Sequence, residues 1–483
     1  MTEDKPEPIP PAKQAHADRL GTEPVGRLLL RFSIPAITGM LVNALYSVVD
    51  RIFIGRAVNE IALGGLSLVM PLMTISLAFA MLFGIGASNM ISMRLGQGRK
   101  QEAENALAHC FVLLLGTGIL ITVLGTIFID PILSLLGAPE GSEALGYART
   151  YFRVILFASV FGLLGFGMSH CTRAQGFPLI TMAALLIGAI LNIIFDALFI
   201  LVFGWGVAGA GWATVAAQSV SMIWILRFCV GKKVGVRLDL KSFKPSPAIV
   251  LQIMSFGSAH FLFQITASGV MIMYNMSMGW YGAAALGVAN GGDIALTGNN
   301  IVGVIHMLIL MPVFGLNQGA QPLLGYNYGA KKFDRVLRTY RLAITAGTAI
   351  CVLGFAIAML FPRQLIGMFV REGDPVLVDF TIRAMRTVLI MLPAAAFVLI
   401  STTFFVVTGR PKMSIFLSLL RQCLVLVPLI FVFGRIWGLW GVIAAAPVSD
   451  AFALFITGTM IFLELKKLKR ASVPESPAKE SAT

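Results

Sequence analysis

Apolar residues run in twelve long stretches along this chain, separated by short polar loops. A helix that crosses a lipid bilayer needs roughly 20 predominantly apolar residues. The stretches lie at about 28–53, 62–93, 102–128, 146–170, 177–202, 209–230, 248–277, 284–322, 334–360, 378–406, 413–433 and 439–464. The pattern predicts an all-α integral membrane protein with 12 transmembrane helices.

The composition excludes a soluble protein. Of the 483 residues, 57% are apolar and 12% are charged, whereas an ordinary soluble protein has about 25% charged residues. The mean hydropathy of +0.85 shows that the apolar excess is not confined to one patch. A soluble chain of this length has too little core to bury so much apolar surface, so a soluble enzyme is excluded.

The two ends of the chain predict tails outside the bilayer. Residues 1–26 are polar and rich in proline, and residues 466–483 are similar, so neither can bury a core. The first residues lack the cationic start and apolar segment of a cleaved signal peptide. Because twelve is an even number, both tails are expected on the same side of the membrane.

Basic residues are unevenly divided between the two sides of this predicted bundle. With both tails in the cytoplasm, 28 of the 37 lysines and arginines fall on the cytoplasmic side, counting the stretch 410–421 there. The nine on the outer side are Arg51, Arg56, Arg149, Arg153, Arg363, Arg371, Arg383, Arg386 and Arg435. Positive residues concentrate on the cytoplasmic side of membrane proteins. The sequence therefore predicts a multi-pass protein of the plasma (inner) membrane with cytoplasmic termini, and the net charge of +14 needs no nucleic-acid partner.

Three short patterns recur once in each half of the chain. The pairs are Trp205–Gly209 with Trp437–Gly441, Gly176–Pro178 with Gly409–Pro411, and Leu95–Lys100 with Leu324–Lys331. Six spans in each half give both halves the same orientation, which is typical of a parallel repeat with ligands in the cleft between lobes. We expect an N-lobe at 27–230, a basic cytoplasmic linker at 231–247, a C-lobe at 248–465 and a V-shaped central cleft.

Acidic residues inside predicted spans are the first candidates for function, because a charge in the bilayer is costly. Asp196 follows Asn192 by four residues, which places both on one helix face. The next span offers Thr214, toward the outer end relative to Asp196, and Gln218 one turn further on. Carboxylate, amide and hydroxyl oxygens suit Na⁺ or a held proton. A structural hydrogen-bonded cluster that joins the helices is the alternative.

The first span carries a second polar face. Asn43, Tyr46 and Asp50 follow helical spacing, and Asp50 is either part of a site or a solvated helix end near Arg51. Pro35 lies earlier in the same span, where it marks either a hinge or a static kink.

Two further acids are less clear from the residues alone. Asp293 lies among glycines and asparagines of the eighth span, where a cation-attracting cavity wall and an inter-helix hydrogen bond are both open. Asp450 follows Pro447 and Ser449 in the last span, and a structural role is favoured there.

Patterns of soluble and membrane enzymes are absent. The sequence holds no HExxH, no Gly-x-Ser-x-Gly and no phosphate-binding loop ending in Gly-Lys-Ser/Thr. The five cysteines form no CxxC pair and are expected to be core residues. We expect no enzyme activity, no cofactor and no metal beyond a coupling Na⁺.

Three segments together resemble one transporter family. They are the run from Pro35 through 41–50 (LVNALYSVVD), the loop Arg173-Ala174-Gln175-Gly176-x-Pro178, and Gly319-x-Gln321-Pro322-x-x-Gly325-Tyr326-Asn327-Tyr328-Gly329. These segments resemble the multidrug and toxic compound extrusion (MATE) transporters, in particular the bacterial MepA-like branch. The resemblance covers about residues 27–465.

The resemblance implies a secondary multidrug efflux transporter that exports lipophilic or cationic compounds by Na⁺ or H⁺ antiport with alternating access. The ion site that it implies in the N-lobe is Asp50, Asn192, Asp196 and Thr214, and Pro35 matches a proline that bends the first helix. Candidates for the substrate cavity are Asn43, Tyr46, Gln218 and Asp293. The expected partners are small-molecule lipophilic cations and membrane lipids, with no obligate protein partner.

Two other functions remain as alternatives. A lipid or lipid-linked sugar flippase of the same superfold would require a cationic cavity, whereas the visible intramembrane charges here are acids. A membrane-embedded enzyme is more distant, because nucleophile and metal motifs are missing.

Overall fold

The computed structural model describes residues 19–57, 60–135, 142–231, 235–240, 243–285, 290–369 and 375–471. Within helices, the backbone alone is described for residues 44, 46–57, 60–65, 67, 68, 135, 144 and 471. The described residues form a helical bundle with short connections. This confirms the all-α fold predicted from the apolar stretches.

Six spanning helices make up the first half. They are α1 (Val25–Ala57), α2 (Glu60–Gly96), α3 (Lys100–Ile127), α4 (Glu143–Ala174), α5 (Pro178–Asp196, continued by the π-helix Ala197–Val202) and α6 (Gly206–Val230). Proline or glycine at the connections ends one helix and starts the next, as at Pro178, where the missing N–H costs nothing in the first turn.

The second half repeats this order. It comprises α7 (Pro247–Ala285), α8 (Gly291–Gly329), α9 (Phe333–Leu360), α10 (Pro375–Val388 with Leu389–Met391 and Leu392–Val407) and α11, which begins with Pro411–Leu419 and the π-helix Leu420–Leu426. The last helix, Val427–Ala471, breaks at Gly438, which has φ 58° and ψ −137°. Its first part completes α11 and the part after Gly438 is α12, so the described chain contains the twelve predicted spans.

Backbone geometry repeats between the halves. Left-handed φ values occur at Gly98 and Lys331, at Gly176 and Gly409, and at Gly206 and Gly438. Short helices after the third span of each half, Ile129–Leu135 and Pro362–Gly367, begin at equivalent positions. The equivalence of Gly98 with Lys331 makes Gly96 the counterpart of Gly329, so the sequence match of Gly96 with Gly325 was out of register. The error arose because glycines follow each other closely at the end of α8.

The two halves contact each other through close backbone approaches near one end of the bundle. This end carries both described termini and the described connecting residues 97–99, 175–177, 231, 235–240, 243–246, 330–332 and 408–410, and we call it the basic end. We call the contact of α2 with α7 and α8, and of α1 with α8, the basic-end seam.

Six glycines make the seam, and the repeat relates Gly96 to Gly329 and Gly86 to Gly319. An added Cβ would lie 2.0 Å from the Tyr326 carbonyl oxygen at Gly96 and 2.1 Å from the Met93 carbonyl oxygen at Gly329. The other four seam glycines are Gly86 and Gly257 between α2 and α7, and Gly315 and Gly319 between α1 and α8. Because only a hydrogen atom fits at these points, the basic end is tightly closed.

Each half also reaches across to the other before its first helix. The segment before α1 packs on the second half: Leu20 is 1% exposed, and the Arg335 guanidinium donates to the carbonyl oxygens of Leu20 (3.1 Å) and Glu23 (2.6 Å). The segment before α7 packs on the first half, where the Ser246 N–H donates to His109 Nε2 at 3.0 Å. We call residues 19–24 the N-strap, and residues 235–240 with 243–246 the linker strap.

Candidate functional site

The candidate ion site begins on α5, which packs between α1 and α6 in the first half. Asn192 is 3% exposed and Asp196 is fully buried, one helical turn apart on the same face. The Asn192 side-chain oxygen accepts no hydrogen bond from the described residues. A buried amide oxygen without a donor is costly, and it is suited to a cation.

The helix changes its geometry at the acid. Asp196 is the last α-helical residue of α5, and the chain continues as the π-helix Ala197–Val202. A π-turn inserts an extra residue and leaves backbone carbonyls displaced from their usual partners, and such turns are frequent at functional sites. The sequence pattern gave no sign of this irregularity.

Helix α6 presents Thr214 to α5. The Ser221 hydroxyl donates to the Ala184 carbonyl oxygen on α5 at 2.8 Å, and Thr214 lies seven residues from Ser221 and therefore on the same helix face. An added Cβ at Gly188 would lie 3.4 Å from Ser221, and one at Gly209 would lie 3.0 Å from the Phe199 backbone.

Thr214 lies between these two contacts along α6. Along the bundle axis it is therefore at a height between Asn192 and Asp196 of α5. The residue count had placed Thr214 nearer the outer end than Asp196, but part of that count is taken up by the π-helix and the connection at 203–205. The Thr214 hydroxyl donates to the Ala210 carbonyl oxygen at 3.1 Å, which leaves its oxygen lone pairs available.

Helix α1 carries the rest of the predicted site. Pro35 is buried within α1, between Ser33 and Ile37, whose atoms meet the seam glycines of α8. Asn43 is exposed and has an interaction partner. Tyr46 and Asp50 belong to the helix, but their side chains lie outside the described residues.

The two remaining candidates for the substrate cavity lie in different places. Gln218 points toward α4, since its Oε1 atom would be 2.7 Å from a Cβ on Gly162. Asp293 is exposed in the first turn of α8 at the end opposite the basic end, where a carboxylate favours the helix N-terminus.

The second half holds a charged pair that the sequence analysis missed. Arg421 Nε donates to Asp450 Oδ1 at 2.6 Å, and the Ser449 hydroxyl donates to the Arg421 carbonyl oxygen at 2.7 Å. Arg421 lies in the π-helix of α11 and inside a span, so counting it with the cytoplasmic stretch 410–421 was wrong. The structural role favoured for Asp450 agrees with this pairing. His306 on α8 lies within electrostatic range of both groups.

A buried arginine also joins the two halves. Arg173, near the end of α4, is 5% exposed and donates to the Gln318 side-chain oxygen on α8. Gln318 in turn contacts the Met40 sulfur on α1. Through these contacts, Gln318 of the second half links α4 and α1 of the first half.

Comparison with known families identifies the architecture. A family model described as MatE matches residues 35–198 and 261–432, one stretch in each half. The matched residues exceed half of the chain. The chain belongs to the MatE family.

Characterised relatives of this MatE protein are multidrug exporters by name. Multidrug export protein MepA of Staphylococcus saprophyticus is 25% identical over 445 residues, which cover 90% of this chain and 93% of the relative. MepA of Staphylococcus aureus strain MSSA476 is 25% identical over 449 residues, with 91% and 94% covered. The family resemblance inferred from the three sequence segments is thereby confirmed.

Solved structures share the fold of this MatE protein from end to end. A structure titled as the outward-facing conformation of a multidrug resistance MATE family transporter of the MOP superfamily superposes with a TM-score of 0.86 at 26% identity, covering 96% of this chain and 100% of that chain. The chain is therefore a multi-pass membrane transporter with the twelve-helix, two-lobe MATE architecture.

Proposed function

We propose that this protein exports lipophilic, cationic small molecules in exchange for Na⁺ or H⁺. The observation that carries the proposal is Asp196, a fully buried acid one turn from the buried amide of Asn192. Acids inside membrane bundles are costly and mark ion pathways and proton relays. The names of the MepA relatives support drugs as the exported compounds.

The register of α1 on α5 supports a second acid at this site. Both helices start at the basic end and run parallel, and an added Cβ on Gly39 would lie 2.7 Å from Leu185. Eleven residues, about three turns, separate Gly39 from Asp50 and Leu185 from Asp196. Asp50 is therefore expected at the level of Asp196, with Asn192 and Thr214 completing a set of hard oxygen ligands.

The closed seam supports an outward-facing state. If the basic end faces the cytoplasm, as the arginine and lysine distribution predicts, then the six close glycine contacts seal the cytoplasmic side. Drug release would then take place from a cleft open to the outside. Access from the cytoplasm would require the basic-end seam to separate.

Coupling follows if the ion and the drug favour different states. Na⁺ or a proton at Asp196 and Asp50 removes negative charge that would otherwise attract a cationic drug. Bending of α1 near Pro35 would carry this change to the seam, since the neighbours of Pro35 pack on Gly315 and Gly319. Without such differential binding, neither ligand could drive the other.

The test is export of a fluorescent lipophilic cation from bacterial cells that lack other pumps. Asp196→Asn keeps the size of the side chain and removes its charge, so we expect export to fall to the level of cells without the transporter. Membrane abundance should stay unchanged. Export measured with and without Na⁺ distinguishes the two coupling ions.

The matched control is Asp334→Asn. Asp334 is an exposed acid in the first turn of α9 at the basic end, and its replacement should leave export unchanged. Normal export by Asp196→Asn would overturn the assignment of the ion site. Absence of export by the wild type would shift the proposal to another cargo.

A further inference from the structure

Three arginines surround a pocket at the end of the bundle opposite the basic end. The pocket measures about 490 Å³ and lies between the end of α9, the short helix Pro362–Gly367 and the first part of α10. Its lining includes Arg363, Arg383, Arg386 and Gln364, together with a single acid, Asp379. All three arginines are exposed.

These arginines share the described lining of the pocket with a single carboxylate, that of Asp379. Among the described residues, none of the three forms an ion pair, with Asp379 or with any other carboxylate. The loop 370–374 lies outside the described residues and is no part of the site. A concave surface with several guanidinium groups and one acid is suited to a group that carries negative charge on several oxygens.

The equivalent place in the first half is partly neutralised. The repeat places Asp130 opposite Arg363, and Asp130 pairs with Arg149 at 2.6 Å. Arg153 is the counterpart of Arg386, whereas Gly146 and Thr150 stand where the second half has Asp379 and Arg383. The second half therefore has a cationic pocket where the first half has a paired aspartate and arginine, and the short helix begins at the equivalent residue in both halves.

Apolar side chains border the pocket on the side of the bilayer. Leu360 is 72% exposed and Ile390 is 56% exposed, one on α9 and one just beyond the arginines of α10. Ile357 and Leu353 continue the exposed apolar surface along α9. A ligand with a charged head and hydrocarbon chains would satisfy both surfaces, whereas a free anion would use only the first.

We propose that this pocket binds the phosphate group of an anionic phospholipid, with the acyl chains lying along the exposed face of α9. Guanidinium groups bind phosphate through paired N–H donors, and basic pockets between membrane helices bind anionic lipid headgroups. The volume is in the range of known small-ligand sites. This lipid site does not depend on the proposed export of drugs.

The test measures lipid binding to the purified full-length chain by native mass spectrometry. Dioleoyl phosphatidylglycerol is the probe, and dioleoyl phosphatidylcholine has the same chains with a neutral headgroup. We expect phosphatidylglycerol to bind the wild type more tightly than phosphatidylcholine. Arg383→Gln combined with Arg386→Gln should weaken phosphatidylglycerol binding about 10- to 30-fold, since each arginine near an anionic headgroup contributes about one tenfold step or less.

The chain provides its own control in the first half. The double variant Arg149→Gln with Arg153→Gln removes the same charge from the equivalent surface. It should weaken phosphatidylglycerol binding less than the double variant in the pocket does. Equal losses in the two double variants, or equal binding of the two lipids by the wild type, would overturn the proposal. Thermal unfolding of each variant in detergent shows whether the fold is intact, and a weakened binder that unfolds at the wild-type temperature supports the site.

Inorganic phosphate distinguishes the two sources of the same chemistry. If the lipid is the ligand, phosphate without acyl chains displaces phosphatidylglycerol poorly. If phosphate alone displaces the lipid efficiently, the pocket is a site for a free anion and the lipid assignment is wrong.

Discussion

At the scale of single residues, the ion pair of Arg421 with Asp450 ties α11 to α12 inside the second half. Side-chain exposures of 31% and 23% show that the pair is only partly shielded. Asp450→Asn leaves the guanidinium without its counter-charge, and we expect a loss of about 1–3 kcal/mol, less than the 3–5 typical of a fully buried pair. Thermal unfolding in detergent measures this loss.

The double variant Arg421→Leu with Asp450→Leu separates charge from packing. It removes both charges and should recover much of the stability that Asp450→Asn loses, because replacement of an ion pair by apolar residues is often neutral. If the double variant were less stable than Asp450→Asn, the two side chains would stabilise the fold by more than cancelling each other's charge.

Some residues of the candidate site were predictable from the sequence and others were not. Asp196 stood out because an acid in an apolar run is rare, and its neighbour Asn192 follows from helical spacing. Arg421 was missed because it lies close to Arg410 and Lys412, so a count along the chain assigned it to their loop. The arginine pocket depends on which helix ends come together, and periodicity does not contain that information.

At the scale of elements, the approach of α7 to α2 depends on Gly257. An added Cβ there would lie 1.7 Å from the Leu82 carbonyl oxygen. Gly257→Ala should destabilise the closed seam by about 1–3 kcal/mol, a 5- to 150-fold shift toward the separated state. The measurement uses a variant without the native cysteines, with spin labels on Gln101→Cys and Asp334→Cys, which are equivalent exposed sites of the two halves. Separation of the seam would appear as a larger population of long distances between the two labels.

The control for this variant lies on the same helix. Gly269 is exposed and has open space around an added Cβ. Gly269→Ala should leave the distance distribution unchanged, since alanine is the better helix former. Identical distributions for Gly257→Ala and the wild type would mean that the seam tolerates a wider helix spacing.

The number of spans and most of their boundaries, in contrast, were predictable to within about four residues. The exceptions include α8, predicted at 284–322 but found at Gly291–Gly329, and the end of α7, predicted at 277 but found at Ala285. Length and hydropathy determine where a helix can cross a bilayer, because unsatisfied backbone groups are excluded there. The π-helices at Ala197–Val202 and Leu420–Leu426 were not predictable, since their sequences are as apolar as their surroundings. Of the six seam glycines, only Gly319 and Gly329 belonged to the segments that carried the family resemblance. The contacts of all six across the halves became visible only in the assembled bundle.

At the scale of the whole molecule, the N-strap holds the two halves together at the basic end. Leu20 fills a space among Leu28 and Phe32 of α1 and Leu323 and Tyr326 of α8. Leu20→Ala removes this contact and so destabilises the closed state. We expect a larger population of long distances between spin labels at residues 101 and 334. Truncation of a buried leucine costs about 2–5 kcal/mol where the site persists.

Leu30→Ala is the matched control for the strap. Leu30 is 62% exposed on α1, so its truncation removes the same atoms from a surface that packs on no strap residue. A strap that stabilises the closed state predicts a shift for Leu20→Ala alone. If both variants changed the distance distribution equally, the change would come from α1 itself and not from the N-strap.

The N-strap also has a consequence for how the protein is made. Asn327 donates to the Leu20 carbonyl oxygen across 307 residues of chain. At about 5–20 residues per second, the ribosome needs roughly 15–60 s to supply that partner after residue 20 has emerged. The start of the chain therefore spends much of synthesis without its docking surface, in reach of any chaperone or protease that recognises an exposed leucine. Degradation signals near the N-terminus should act on nascent chains and become ineffective once α8 and α9 are inserted.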